Sequence, residues 1–577
     1  MARFLGLDPD QVVERIIYAE AYNSLPYYEQ VFVLNDGELH RFPIGMVVEN
    51  RRDHNLMVFA FNPKTGKIDL YPVTKLIKHT ISSGFFYKIE TEYGREIMVT
   101  GSHSLFIGER TPHPGRRDSM RPFAFRASLL KPGDRIALPR RINIPSIDIE
   151  EIDLVDAFRE NMEIEADNYS LWLKYKGRKK SGIIPRKIKI DEELLWLIGL
   201  FIAEGDYIVN KEGRPNGIKI TSDKKSLKKV KEFLEKRFPE IHVEKCGTRT
   251  LHVRSRLLAY IFREAFKIPV TWRGKVAEDK AVPEWIINLP LSKVKFFLKG
   301  LWDGSRHHTR PRKGRIIFTI SSRRLAEDIS LLLLRFGVVG SIQKLDNIKL
   351  KPNWKQTYRV EAAGLDIDNP LQLDKTSQNL HAPTFGDLVF AKIKKIEEIP
   401  ITEPTTVYDF SVKPNGEEIE NFLAGFSGVC CHNSDHQILL LEKADKVIKE
   451  NNIRLIIIDS LTAHFRSEYV GRQNLPERQQ KLNKHMHRLL RLSRAFNAAA
   501  VVTNQVMARP DEYFSAMAVL PVGGHIVGHT SHTRVYLRKA AGKNTRIARL
   551  VSSPYLPEGE AIFKITENGV EDLEEEA

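Results

Sequence analysis

Residues 421–460 read NFLAGFSGVCCHNSDHQILLLEKADKVIKENNIRLIIIDS, and two kinds of text meet inside them. Up to Asn433 the pattern is that of short strands. From Ser434 onward an amphipathic helix (HQILLLEKADKVIKE) leads into the strand RLIIIDS, the alternation of an α/β fold. The change of fold class falls at Cys431-His432-Asn433-Ser434.

Upstream, the same strand-like text fills 388–433 (LVFAKIKKIEEI, TTVYDFSVKPNG) and, far earlier, 24–144. There QVFVLNDGELHRFPI, LMVFAFNPKTGKIDLYPV and FYKIETEYGREIMVTGSHSLFI alternate and are punctuated by Asn35-Asp36-Gly37, Asn62–Gly66 and Tyr93-Gly94. Between the two β segments the period changes. Residues 145–189 are charged and irregular, with eight basic residues and no acid in KYKGRKKSGIIPRKIKI (174–190). That run is a solvated linker or a phosphate-contacting face, with Lys179 and Lys180 as candidate DNA contacts. Residues 190–345 are helical with a weak internal duplication: DEELLWLIGLFIAEGD (191–206) and LSKVKFFLKGLWDGS (291–305), each followed by a second helix. A connecting segment, 346–387, completes the insert. Residues 1–23 open as a short helix after Asp8-Pro9 and become strand-like at IIYAEAYN.

Composition bounds the classes. The 577 residues are 42% hydrophobic and 28% charged, as in soluble globular domains, and apolar runs such as LLWLIGLFIA fall short of a bilayer span. Charged residues in the first twenty positions exclude a signal peptide, so a cytoplasmic, non-membrane protein is expected. The net charge of +16 favours nucleic acid as partner, although heat adaptation also enriches Lys and Glu. Three cysteines without CxxC spacing argue against structural zinc, and adjacent Cys430 and Cys431 are expected on opposite faces of a buried strand.

The ends of the β segments carry a set of reactive side chains. Ser24 opens the first, Thr100-Gly101-Ser102-His103 follows the strand GREIMV, Asp409 lies in VYDFSV, and His432-Asn433-Ser434 closes the second. Each is weak alone. In this order the set resembles the self-splicing domain of inteins, over roughly 170 residues. The resemblance implies that Ser24 attacks the Asn23 carbonyl, with Thr100 and His103 donating hydrogen bonds to that peptide and protonating the departing amine. Ser434 then attacks the resulting ester, with Asp409 placed to orient or activate it. Asn433 cyclises onto its own carbonyl with help from His432, and an O-to-N acyl shift joins Asn23 to Ser434. No cofactor is required for splicing.

Removing 24–433, 410 residues, leaves 167 that read continuously through AEAYN-SDHQILLLEKADK. The joined text, from GLDPDQV through LIIIDSLTAHFRSEYVGR, TNQVMARPDEYF and GGHIVGHTSHTRVYLRK, resembles the C-terminal half of archaeal RadA/RecA-like recombinases. The resemblance makes Asp459 a Walker B carboxylate for the magnesium of ATP and Gln505 a sensor of the terminal phosphate. It also places Arg466, Arg472, Arg478 and Arg509 in loops that face single-stranded DNA. No GxxxxGK[ST] loop occurs, so ATP and Mg2+ are expected only for an assembled recombinase. The resemblance implies the missing N-terminal half or other recombinase protomers as partners.

LIGLFIAEG (197–205) resembles the LAGLIDADG motif of homing endonucleases, which cut double-stranded DNA with Mg2+ held by one acid from each of two packed helices. Glu204 fits the first acid position, five residues after Gly199. Five residues after Gly300 stands Ser305, and the nearest acid is Asp303. If Asp303 were the equivalent, a helix would turn it by roughly 200° and withdraw it by about 3 Å. The fold is therefore expected, and activity is left open.

The fold class is multidomain: an all-β HINT-type splicing domain (24–144 and 388–433) with an inserted α+β LAGLIDADG domain, flanked by RecA-like α/β pieces at 1–23 and 434–577. The competing readings are a stand-alone autoprocessing or endonuclease protein and a DNA-binding module with vestigial splicing residues.

Overall fold

A computed structural model describes residues 24–35, 37–50, 56–81, 84–111, 119–158, 164–174, 183–246, 248–268, 280–305, 313–345, 356–412, 421–425, 428–432, 441, 444–462, 475–508, 519–521, 524–540, 544–566 and 569–572. The chain divides into two compact units, one spanning Tyr22–Ser434 and the other taking in Asp435–Ala577 with Met1–Ala21. The helix expected in 1–23, and Lys179, Lys180, Asn433, Ser434, Arg466, Arg472 and Arg509, lie outside the described residues.

In the first unit the early β segment supplies β1 (Leu25–Pro26), β2 (Gln30–Asn35), β3 (Glu38–Pro43), β4 (Met57–Phe61), β5 (Ile68–Ile81), β6 (Phe85–Thr91), β7 (Glu96–Thr100), β8 (Ser104–Thr111), β9 (Ser119–Arg126) and β10 (Arg135–Pro139). The late segment supplies β11 (Leu388–Pro400), β12 (Thr405–Val412), β13 (Asn421–Ala424) and β14 (Val429–His432). With the short strand Thr384–Phe385, which pairs with β11, they form one fifteen-stranded antiparallel assembly whose main path is β1-β12-β5-β4-β2-β13-β14-β8-β10-β11-β6-β7, with β3 beside β2 and β9 beside β8. Every late strand is interleaved among early ones. The segments separated in sequence are therefore one body.

Two long strands curl this sheet. Residues 68–72 of β5 pair with β4 and 73–81 with β12. Likewise 388–392 of β11 pair with β10 and 393–400 with β6, with a register shift between Ile393 and Lys395. The alternating apolar residues, such as Val31, Val33, Ile97, Val99, Phe410 and Phe422, point inward and are buried. Cys430 and Cys431 are both buried in β14. Asn421 binds β4 as a strand would: its side-chain carbonyl accepts the Phe61 N–H and its amide donates to the Phe61 carbonyl, both at 2.8 Å.

The interposed region is α+β. Helix α1 (Glu192–Glu204) is followed by a four-stranded sheet, and α2 (Leu291–Ser305) by a three-stranded sheet with α3 (Arg323–Arg335). Asp191 caps α1 through the Leu194 N–H, and Ser322 caps α3 through the Leu325 N–H. Glycine sets the α1–α2 contact. A Cβ on Gly199 would lie 2.2 Å from the Phe297 carbonyl oxygen, and one on Gly300 would lie 2.0 Å from that of Trp196. Only Gly permits such backbone approach. Gly304 faces Ala203, so the helices run parallel with 199 beside 300 and 203 beside 304.

Two expectations change here. The stretch 145–189 is not wholly irregular: Glu151–Asp153 pairs with Lys187–Lys189, and Ile164–Ala166, Ser170–Leu173 and Ile184–Pro185 form a second small sheet. Arg186 clamps Asp153 with three hydrogen bonds of 2.8–3.0 Å. Nor does the α+β region stop at 345, because Thr357–Ala363 is the central strand between Arg315–Ile320 and Ser341–Leu345.

The second unit pairs parallel strands Leu455–Ile458 and Ala499–Val502 and packs the helix α4 (Leu475–Ala495) through Leu482, Met486, Leu489 and Leu492. An antiparallel sheet of four strands spans 534–572. Among the described residues no helix is long and apolar enough to cross a membrane.

Candidate active site

Ser24 is fully buried, and two reciprocal bonds hold it at the open edge of β7. The Thr100 N–H donates to the Ser24 carbonyl at 3.0 Å, and the Ser24 N–H donates to Thr100 Oγ1 at 3.3 Å. The hydroxyl thus accepts from the peptide it was expected to donate to. An amide nitrogen has its lone pair delocalised into the carbonyl and can only donate.

Thr100-Gly101-Ser102-His103 forms a tight turn between β7 and β8. The His103 N–H returns to the Thr100 carbonyl at 3.0 Å, the Ala127 N–H donates to the His103 carbonyl at 2.8 Å, and the Ser128 N–H donates to Gly101 at 3.0 Å. The His103 ring is fully buried, and Ser102 Oγ lies 3.5 Å from Thr100 Oγ1. The T-x-x-H spacing works because one turn folds the fourth residue back beside the first.

Pairing of β1 with β12 sets Leu25 opposite Tyr408, next to Asp409. Asp409 is fully buried, and its Oδ1 accepts the Phe410 N–H at 2.8 Å. Burial drives its carboxyl well above the usual carboxylate range, and the Phe410 bond only partly opposes this. Oδ2 has no hydrogen-bond partner among the described residues. Asp409 also lies close enough to Cys431 to help raise that thiol, behind the larger effects of burial and of Cys430. Cys431 in turn pairs with Leu105, two residues beyond His103, so the end of β14 runs to the T-x-x-H turn. Strand pairing thus gathers Ser24, Thr100, His103, Asp409 and the backbone of His432.

One buried acid at this edge carried no motif. Glu29 accepts the Met98 N–H at 2.9 Å, and burial pushes its carboxyl up to about 7 despite that bond. In the α+β region Lys280, equally without a sequence signal, donates to the Ala203 carbonyl at 3.0 Å beside Glu204.

The helix-pair acids do not converge. With Gly199 beside Gly300, the residue matching Glu204 is Ser305, whose hydroxyl donates to the Trp302 carbonyl at 3.2 Å. Asp303 faces back down the helix, where it accepts from Trp196 Nε1 at 3.0 Å and pairs with Lys299. Among the described residues no group of three His, Cys, Asp or Glu could hold a metal ion. The residues present do not fit a paired-acid Mg2+ site.

In the second unit Asp459 directly follows the first parallel strand and accepts from Thr503 Oγ1 at 2.6 Å, while Gln505 is exposed beyond the neighbouring strand. The backbone of Arg478 lies in α4.

Residues 32–433 match the intein splicing domain family, and residues 412–573 match the Rad51 family. The stretch common to both includes β13 and β14, which are strands of the splicing sheet. The DNA repair and recombination protein RadA of Aeropyrum pernix is 53% identical over 142 residues, 25% of this chain and 44% of that protein. The protein of that name from Metallosphaera sedula is 48% identical over 161 residues, 28% of this chain and 49% of its own length. The chain spans about half the length of these relatives. It belongs to the intein splicing domain family, with a Rad51/RadA-family region at its C-terminal end.

Proposed function

We propose that residues 24–433 excise themselves and join Asn23 to Ser434, restoring a RadA-type recombination protein. The observation that carries this reading is the Ser24–Thr100 pair: a buried hydroxyl nucleophile whose own amide is held by the T-x-x-H turn. Ser24 Oγ adds to the Asn23 carbonyl, the C–N bond breaks, the Ser24 nitrogen leaves as an amine after taking a proton from His103, and the proton of the Ser24 hydroxyl returns to His103. Positive charge grows on that nitrogen, so the hydrogen bond accepted by Thr100 strengthens along the reaction. Ser434 Oγ then displaces Ser24 Oγ from the ester. Asp409, whose protonated form burial favours, gives its proton to the departing Ser24 oxygen and takes up the proton of Ser434 Oγ in return. The Asn433 amide nitrogen closes on its own carbonyl and releases Ser434 as an amine, with His432 protonating it. That amine attacks the adjacent ester and leaves an ordinary peptide bond.

The interposed domain has the two-helix architecture of the LAGLIDADG endonucleases it resembles, but Ser305 stands where the second acid belongs. We read it as a nuclease fold without Mg2+-dependent cleavage activity. The recombinase region would bind single-stranded DNA and would bind ATP through Asp459 and Gln505 once combined with a phosphate loop, alongside other protomers.

Intact-mass measurement tests splicing: the 577-residue precursor should yield products of 410 and 167 residues. Persistence of the precursor would favour vestigial splicing residues instead. Incubating the product with Mg2+ and a plasmid carrying the uninterrupted joint should give no cleavage.

A further inference from the structure

Strand β7 presents Thr100 to Ser24, and it is the last strand of the sheet. One edge pairs with β6, in the register Phe86 with Thr100 and Lys88 with Met98. In an antiparallel strand alternate residues turn their amides to the same side. The amides of Met98 and Thr100 therefore both face the open edge. Each is occupied there: Thr100 by the Ser24 carbonyl at 3.0 Å and Met98 by the Glu29 carboxylate at 2.9 Å. Glu29 substitutes for the neighbouring strand that β7 lacks.

The start of the same strand is held from outside the splicing sheet. Arg323, first residue of α3 in the interposed domain, pairs with Glu96 at 2.9 Å and with Glu327 at 2.9 Å. Lys88 completes the grip on Glu96 at 3.1 Å. Helix α3 is itself anchored to the sheet, since Arg41 of β3 lies 3.1 Å from Asp328 and 3.9 Å from Glu327. The guanidinium of Arg323 also acts on Glu29, whose charge it favours while Glu327 opposes it. A residue of the interposed domain and a buried acid of the splicing sheet thus hold the two halves of a five-residue edge strand whose last residue is Thr100.

We infer that Arg323 and Glu29 are positioning residues for the first splicing step, so that the interposed domain braces the strand that aligns Thr100 with the Asn23–Ser24 peptide. The inference rests on the splicing reading above. It gives the domain a function that needs no second metal-binding acid. Small displacements of an aligned group cost large factors in rate, so loss of either hold should be seen first in the step at Ser24 and little in cyclisation of Asn433.

The test uses the full chain and reads the two ends separately: hydroxylamine-released residues 1–23 for the Ser24 step, and release of the C-terminal segment for the Asn433 step. Arg323→Met and Glu29→Leu should slow the first roughly fivefold to tenfold and leave the second within about twofold. Arg323→Lys and Glu29→Gln keep the charge or the acceptor and should restore most of the rate. Glu284→Ala, which removes the contact to His40 at the same domain boundary but away from β7, should leave both steps at the unmodified rate. A purely structural role would lower both steps together with the melting temperature, and that result would overturn the inference. So would unchanged rates in Arg323→Met and Glu29→Leu. Failure of the unmodified chain to react at either end would instead remove the splicing reading, and the inference with it.

Discussion

Replacing Thr100 by Val tests the bond at the centre of the first step. Val keeps the shape and the β-branch suited to a strand end while removing the hydroxyl that accepts the Ser24 N–H at 3.3 Å. In the resting chain that bond is long and neutral, and its loss costs about 1 kcal/mol because a buried N–H goes unpaired. As the C–N bond breaks, the nitrogen gains a proton and positive charge, and the same contact becomes a charge-assisted bond roughly twice as strong. Setting the resting-state loss against the larger one on the way to the amine leaves about 0.5–2 kcal/mol, or roughly 2- to 30-fold in rate. The assay uses an Asn433→Ala background, which blocks cleavage at the other end, and follows release of residues 1–23 by excess hydroxylamine. Thr100→Ser should react close to the unmodified rate. If Thr100→Val reacted as fast as the unmodified chain while His103→Ala did not, Thr100 would be a turn residue only and the reasoning would fail.

Asp409→Asn should leave the melting temperature nearly unchanged, because burial already favours the neutral carboxyl and Asn retains the acceptor for the Phe410 N–H. It should still reduce joined product by on the order of 100-fold while the ester at Ser24 accumulates. Gly300→Ala places a methyl 2.0 Å from the Trp196 carbonyl oxygen, and calorimetry of a non-splicing Ser24→Ala, Asn433→Ala chain should show a loss of about 1–3 kcal/mol or more. An unshifted transition would mean that the helices do not touch there. Stability should also depend on pH through Glu29, which faces Arg323, Glu327, Tyr28 and Cys431. Its folded-state value of about 7 exceeds the ordinary 4.5, so between those values the folded chain binds more protons than the unfolded one. Unfolding free energy therefore falls as pH rises through that window, by on the order of 2 kcal/mol from this group. Glu29→Gln should flatten the slope in urea titrations, with a remainder from Glu327, which is also raised to about 7 by burial.

The splicing residues could be read from sequence because their chemistry demands fixed types at fixed places. A nucleophile must open the insert, a cyclising amide must close it, and Thr100 and His103 must share one turn. The helix pair around Gly199 and Gly300 was legible from its motif, and the structure adds that close backbone approach admits nothing larger than glycine there. Counting five residues on from Gly300 led to Ser305, and α2 keeps that register without unwinding. What sequence did not reveal acts through contacts distant along the chain. Glu29 sits in the turn after β1 with no pattern around it, and Arg323 looks like one more surface cation until α3 is laid against β7. The small sheets within 145–189 were missed because strands of two to four residues show too few alternations to stand out from a polar linker. The direction of the Ser24–Thr100 bond needed coordinates, since residue types alone do not say which partner donates.

The most direct test of the account is tryptic peptide sequencing of the product. Ligation predicts a peptide that begins after Arg15, runs IIYAEAYN into SDHQILLLEK, and ends at Lys443, joining residues 16–23 to 434–443. Recovery of IIYAEAYNSLPYYEQVFVLNDGELHR, residues 16–41, with no trace of the joined peptide would show the Asn23–Ser24 bond intact and contradict it.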